Sequence, residues 1–118
     1  MAREATDHLQ DVLEAIAAIT AYTRKGKKPF DKDPMLRDAV AARLMQIGQS
    51  VKDAQAEGLD LPRLEPEIPW RNIAGMRDRL AHKYSLLDAR IVWAVVENDL
   101  PKLRKAIGRI LKSPPNGN

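Results

Sequence analysis

Cysteine is missing from the chain, which excludes disulfides, thiolate metal sites and a cysteine nucleophile together. That lack is compatible with a reducing compartment. Aromatic residues are scarce, at 4% of 118 residues. Ala and Leu, which favour helix, lead the apolar content ahead of Ile and Val, and the aromatic types that favour sheets are thin. No long hydrophobic run occurs either. The longest, Ile91 to Val96, falls far short of the ~20 residues that cross a bilayer, so no membrane contact is expected. Met1 to Asp7 carries two acids and leads into no apolar segment of signal-peptide type. A cytoplasmic location is therefore the expectation.

What is present points to a folded helical domain. Hydrophobic residues reach 44% and charged residues 31%, a balance that supports a core. The length fits one domain, taken as residues 1–112 with a loose proline-containing tail over 113–118. A domain this small that buries little aromatic area is marginal alone, which favours oligomerisation. The net charge is +4 with a pI near 9.6, and an excess of lysine and arginine favours a phosphate-bearing partner weakly.

Apolar spacing is helical nearly throughout. Leu9, Val12, Leu13, Ile16 and Ile19 form the stripe of a first helix, capped by Thr6 or Asp7 and ending near Arg24. Lys25 to Pro29 reads as a basic loop. Asp33 followed by Pro34 opens a second helix that carries Leu36, Val40, Leu44, Ile47 and Val51 inward and stops at Gly58. Pro62, Pro66 and Pro69 exclude a long helix between Leu59 and Pro69. A third helix runs from Pro69 through Trp70, Ile73 and Met76 towards His82. Asp88 reads as the cap of a fourth, and Asp99-Leu100-Pro101 as the restart that begins the last. The predicted fold is all-α, a bundle of four or five helices.

The third helix carries the chemistry-bearing residues. His82 is surrounded in sequence by Arg71, Arg77, Arg79 and Lys83, with Tyr84 two places on. A guanidinium grips phosphate oxygens in pairs, and an imidazole moves protons near neutral pH. Arg77, Asp78 and His82, in the order arginine, polar residue, three more positions, histidine, resemble the catalytic motif of the HEPN superfamily. The trailing Tyr84 narrows the resemblance to HepT-like proteins. Phe30 to Asp33, Ala39 to Leu44 with Ile47-Gly48, Ile68-Pro69-Trp70, Gly75-Met76-Arg77, Val92-Trp93 and Leu100-Pro101 also fall where that family has similar residues. Gln49 departs from it, since glutamate often follows the isoleucine-glycine pair.

The resemblance implies a HEPN-type homodimer whose motif helices meet, so that Arg77 and His82 of both chains line one cleft. It implies RNA cleavage that needs no metal or other cofactor, with Asp78 supporting the motif. A further implication is a minimal nucleotidyltransferase antitoxin, in a type VII-like toxin–antitoxin pair, that can attach AMP to Tyr84. Arg71, Arg79 and Lys83 are the candidate RNA contacts. Helix geometry bears on part of this. At ~100° per residue, Arg77 and Tyr84 lie within ~20° of each other, whereas His82 lies ~140° from Arg77. Either the helix ends before His82, or a second chain completes the site.

Plainer readings stand beside these. Arg77 can be a solvated helix residue paired with an acid, and His82 a structural histidine near a helix end. Asp78 can orient Arg77 or His82, or face solvent. Tyr84 can be a packing residue. Trp70 and Trp93 read as core or dimer contacts, His8 as an exposed bystander, and Lys25, Lys27 and Lys28 as a solvated loop. For the protein as a whole, the alternative is a catalytically silent helical subunit that binds a nucleotidyltransferase.

Overall fold

The computed structural model describes residues 4–83 and 89–113, with residues 81–83 described as helical backbone. Four long helices are present: α1 (Ala5–Tyr22), α3 (Pro34–Ala56), α5 (Trp70–Lys83) and α7 (Leu100–Lys112). Three short ones join them: α2 (Lys27–Lys32), α4 (Leu61–Leu64) and α6 (Ala89–Ala94). No strand occurs among the described residues. The fold is the all-α bundle that the spacing predicts.

Helix α3 is the central element, packed against α1 on one side and α5 on the other. Its start follows the expected chemistry: Asp33 Oδ1 accepts from the backbone N–H of Met35 at 3.0 Å and Leu36 at 3.3 Å. These two donors would otherwise lack a partner at a helix N-terminus, and Pro34 in the first turn lacks one of its own. Val40, Leu44, Ile47, Val51 and Ala54 are buried and meet Leu9, Val12, Ile16 and Ile19 of α1 in one core. Helix α7 closes the far side of α1 with Leu103, Ala106, Ile107 and Ile110.

Three local expectations are corrected. Helix α1 begins at Ala5 and ends at Tyr22. Asp7 is not its cap but accepts from the Glu4 N–H at 3.0 Å. The stretch read as a basic loop is helical from Lys27. Phe30 drives this, being fully buried with its ring 5.2 Å from that of Trp93. Finally, Asp99-Leu100-Pro101 is not a break followed by a restart. Helix α6 runs on through a π-helical stretch (Val95–Asp99) into α7. Pro101 offers no N–H and its ring crowds the preceding turn, so the turn widens there. The Leu100 N–H accordingly reaches back to the Val95 carbonyl, the five-residue spacing of a π-turn. Asp88 lies outside the described residues.

Candidate active site

Helix α5 positions the motif. Trp70 sits at its start, buried, and its indole N–H donates to the Glu65 carbonyl at 2.9 Å. Trp70, Ile73, Met76 and Leu80 recur at three- and four-residue spacing and are all buried, so this stripe seats the helix on the core. The seat against α3 is unusually close. A Cβ on Gly48 would stand 2.9 Å from the Ile73 carbonyl oxygen and 3.0 Å from the Arg77 nitrogen. The Ile47-Gly48 pair thus has a physical reason: it lets the α5 backbone approach α3 at the level of Arg77.

Arg77 flanks the buried stripe with its side chain 49% exposed. One guanidinium N–H donates to Asp78 Oδ1 at 3.3 Å. Asp78 is also held from α3, where Lys52 Nζ lies 3.0 Å from Oδ2. The hydrogen bond and charge of Lys52, with a lesser contribution from Arg77, hold the Asp78 carboxyl below its ordinary value. Asp78 therefore holds its charge further into acid than a free aspartate does, and it is ionised at neutral pH. The acid expected beside Arg77 is thus Asp78 itself. A guanidinium has five N–H donors, and among the described residues a single long bond engages them, which leaves capacity for a ligand.

The other candidate residues divide. Arg71 lines a shallow depression of about 430 Å³ with Lys52, Trp70 and Gly75. Arg79 lies on the opposite flank, donating to the Asn72 carbonyl at 2.8 Å. There it lines a groove of about 200 Å³ with Leu44, Met76, Ile91 and Asp99. Helix α5 continues through Lys83, so it does not end before His82. Tyr84 and the side chains of His82 and Lys83 lie outside the described residues. A cleft of about 690 Å³ between α1 and α7 stands apart from the motif; its walls include Leu13, Ala17, Val96 and Pro101, which transfer no protons. Among the described residues, no three His, Cys, Asp or Glu side chains could together hold a metal ion. No helix there is long and apolar enough to cross a membrane.

The model of the ribonuclease HepT-like family matches residues 12–110, which take in the whole motif. The chain belongs to the HepT-like ribonuclease family. It is 38% identical over 113 residues to a probable ribonuclease HepT of Thermococcus cleftensis, covering 95% of this chain and 100% of the relative. A putative RNase of Caldanaerobacter subterraneus is 37% identical over 83 residues, 70% of this chain and 71% of that one. A putative RNase of Methanocaldococcus jannaschii is 31% identical over 111 residues, 93% and 89% of the two chains. No solved structure matches.

Within this HepT-like chain, Gln49 replaces the frequent glutamate without leaving a gap, donating to Asp53 Oδ1 at 2.9 Å. Both tryptophans are structural within the chain: Trp93 packs on Phe30 and donates to Glu97 Oε2 at 3.0 Å. His8 is half-buried rather than exposed. Lys52 was not legible as a site residue. It lies 26 positions from Asp78, and only the packing of α3 on α5 brings the two together.

Proposed function

We propose that this HepT-like ribonuclease is the toxin of a type VII-like toxin–antitoxin pair. It cleaves RNA without a metal, in a cleft shared by two copies, and works in the cytoplasm. The observation that carries the shared cleft is the unbroken run of α5 through Lys83. Positions 77 and 82 of one helix stand ~140° apart in register, and two motif helices meeting across a twofold axis would bring an arginine and a histidine from different copies to one phosphate. Gly75 supports the same reading: among the described residues, nothing outside the backbone of its own helix comes within 4 Å of a Cβ placed there. Its missing side chain serves no contact with those residues, but it would let a second α5 come close.

In that cleft, one His82 takes the proton from a ribose 2′-hydroxyl, and the freed oxygen attacks the adjacent phosphorus. Arg77, held by Asp78, stabilises the added negative charge on the phosphoryl oxygens. His82 of the second copy gives a proton to the departing 5′-oxygen, leaving a 2′,3′-cyclic phosphate and a 5′-hydroxyl. Arg71, Arg79 and Lys83 contact neighbouring phosphates. DNA has no 2′-hydroxyl and is spared.

Mixing wild-type and His82→Ala chains at fixed total concentration tests the shared cleft. If both imidazoles are needed, cleavage falls as the square of the wild-type fraction, to about a quarter at equal proportions after subunit exchange. A linear fall, to about half, would mean that each chain acts alone. The antitoxin is a minimal nucleotidyltransferase, and it silences the cleft by attaching AMP to Tyr84. Co-expression with it is expected to add the mass of one or more AMP units, on the peptide that holds Tyr84. An inactive complex with unmodified Tyr84 would replace this step with occlusion.

A further inference from the structure

The positive excess of the protein is not spread over its surface. Helix α7 has five cations, Lys102, Arg104, Lys105, Arg109 and Lys112, and no carboxylate. The chain as a whole carries a net +4, so the residues outside α7 together carry one net negative charge. In helical register, Lys102, Lys105, Arg109 and Lys112 fall within an arc of ~80°. Leu103, Ala106, Ile107 and Ile110 are buried on another side of the helix, and Arg104 points away from the arc, towards the α1 cleft.

Arg109 is occupied: its guanidinium grips both Glu65 oxygens, at 2.6 to 3.2 Å. Lys102, Lys105 and Lys112 are exposed and make no hydrogen bond or ion pair among the described residues. Like charges one turn apart repel and cost helix stability, which an anion laid along the stripe relieves. The stripe is also registered on the motif helix. The Glu65 carboxylate clamps Arg109 on α7, and the carbonyl of the same residue accepts from Trp70 at the start of α5. A small groove between Asn72 and Ile73 of α5 and Leu100 and Leu103 of α7 completes the contact.

We propose that this face of α7 is a track for the backbone of single-stranded RNA, on which Lys102, Lys105 and Lys112 neutralise phosphates flanking the scissile bond. The proposal rests on the ribonuclease reading for its ligand. Charge complementarity selects that occupant: three lysines without a partner among the described residues, spread over ~15 Å of helix, match a repeating anion that carries no base information.

Binding of a labelled single-stranded RNA to the His82→Ala chain, measured over a salt series, tests it. Each phosphate contact contributes ~0.7 to the slope of log affinity against log salt for a single strand. Adding K102Q, K105Q and K112Q is expected to weaken binding and flatten that slope by about 2. In the active chain the same three changes raise KM and leave kcat within about twofold. An unchanged slope overturns the track and leaves the face to an acidic protein surface. Equal flattening by K25Q, K28Q and K32Q also overturns it, since attraction would then be general. If the slope flattens but the wild-type chain cleaves no RNA, the track stands and the ribonuclease reading falls. Cleavage with an unchanged slope has the reverse meaning.

Discussion

His82→Ala is expected to lower RNA cleavage by about 10²–10⁴-fold, the usual worth of a positioned proton-transfer group. Arg77→Ala should lose about 10²–10³-fold by removing charge stabilisation from the phosphorane-like transition state. The loss at Arg77 belongs in kcat more than in KM, because the extra charge on phosphorus exists only on the way to product. Folding should survive the arginine change. The side chain is half exposed, and its one hydrogen bond among the described residues, to Asp78, is 3.3 Å long, a surface contact of little stabilising value. Arg77→Lys is expected to rescue little, because an ammonium cannot span two phosphoryl oxygens. The measurement is a time course on single-stranded RNA, with and without a chelator, alongside thermal melts. A chelator should leave the rate unchanged and a DNA strand of the same sequence should stay intact. RNA left whole by the wild-type chain would favour the catalytically silent subunit that binds a nucleotidyltransferase. Loss of cleavage in the chelator would remove the metal-independent mechanism.

The order of residues was enough to find α5 and its motif, because period and motif agree there. The same four positions that bury the helix, Trp70, Ile73, Met76 and Leu80, leave Arg71 and Asp78 on its open flank. Helix α3 was equally plain from its Asp-Pro start. The short elements were not. Lys25 to Pro29 reads as a solvated loop because its lysines dominate, and one apolar residue just beyond it, Phe30, decides the outcome by packing on Trp93 far along the chain. The π-helical stretch was hidden because Pro101 suggests a break by local rules, whereas the core contacts of Val92 and Leu100 hold the chain continuous. At the site, the hold of Lys52 on Asp78 depends on tertiary packing, which no local pattern encodes. The α7 stripe is legible residue by residue, as five cations without a carboxylate, but overall net charge averages them away.

Gly48→Ala is expected to damage both stability and chemistry, through a single methyl group. The new Cβ would lie 2.9 Å from the Ile73 oxygen, 3.0 Å from the Arg77 nitrogen and 3.3 Å from the Ala74 oxygen. All three are backbone atoms of α5, so no side chain can swing aside and the helix itself must move. Overpacking of this kind costs about 1–3 kcal/mol, enough to lower the melting midpoint by several degrees in a domain of this size. The shift acts at the level of Arg77, where displacements of about 1 Å can cost a catalytic site on the order of 100-fold. Gly108→Ala separates this effect from helix propensity. Gly108 lies within α7, and among the described residues nothing outside the backbone of its own helix comes within 4 Å of its would-be Cβ. There alanine should add about 0.5–1 kcal/mol, because glycine surrenders more backbone freedom on folding. Opposite shifts of the two midpoints, with cleavage lost only in Gly48→Ala, are the expected pair of results. Equal upward shifts would mean that α3 and α5 stand further apart than Gly48 implies, and the positioning of Arg77 by that contact would fail with it.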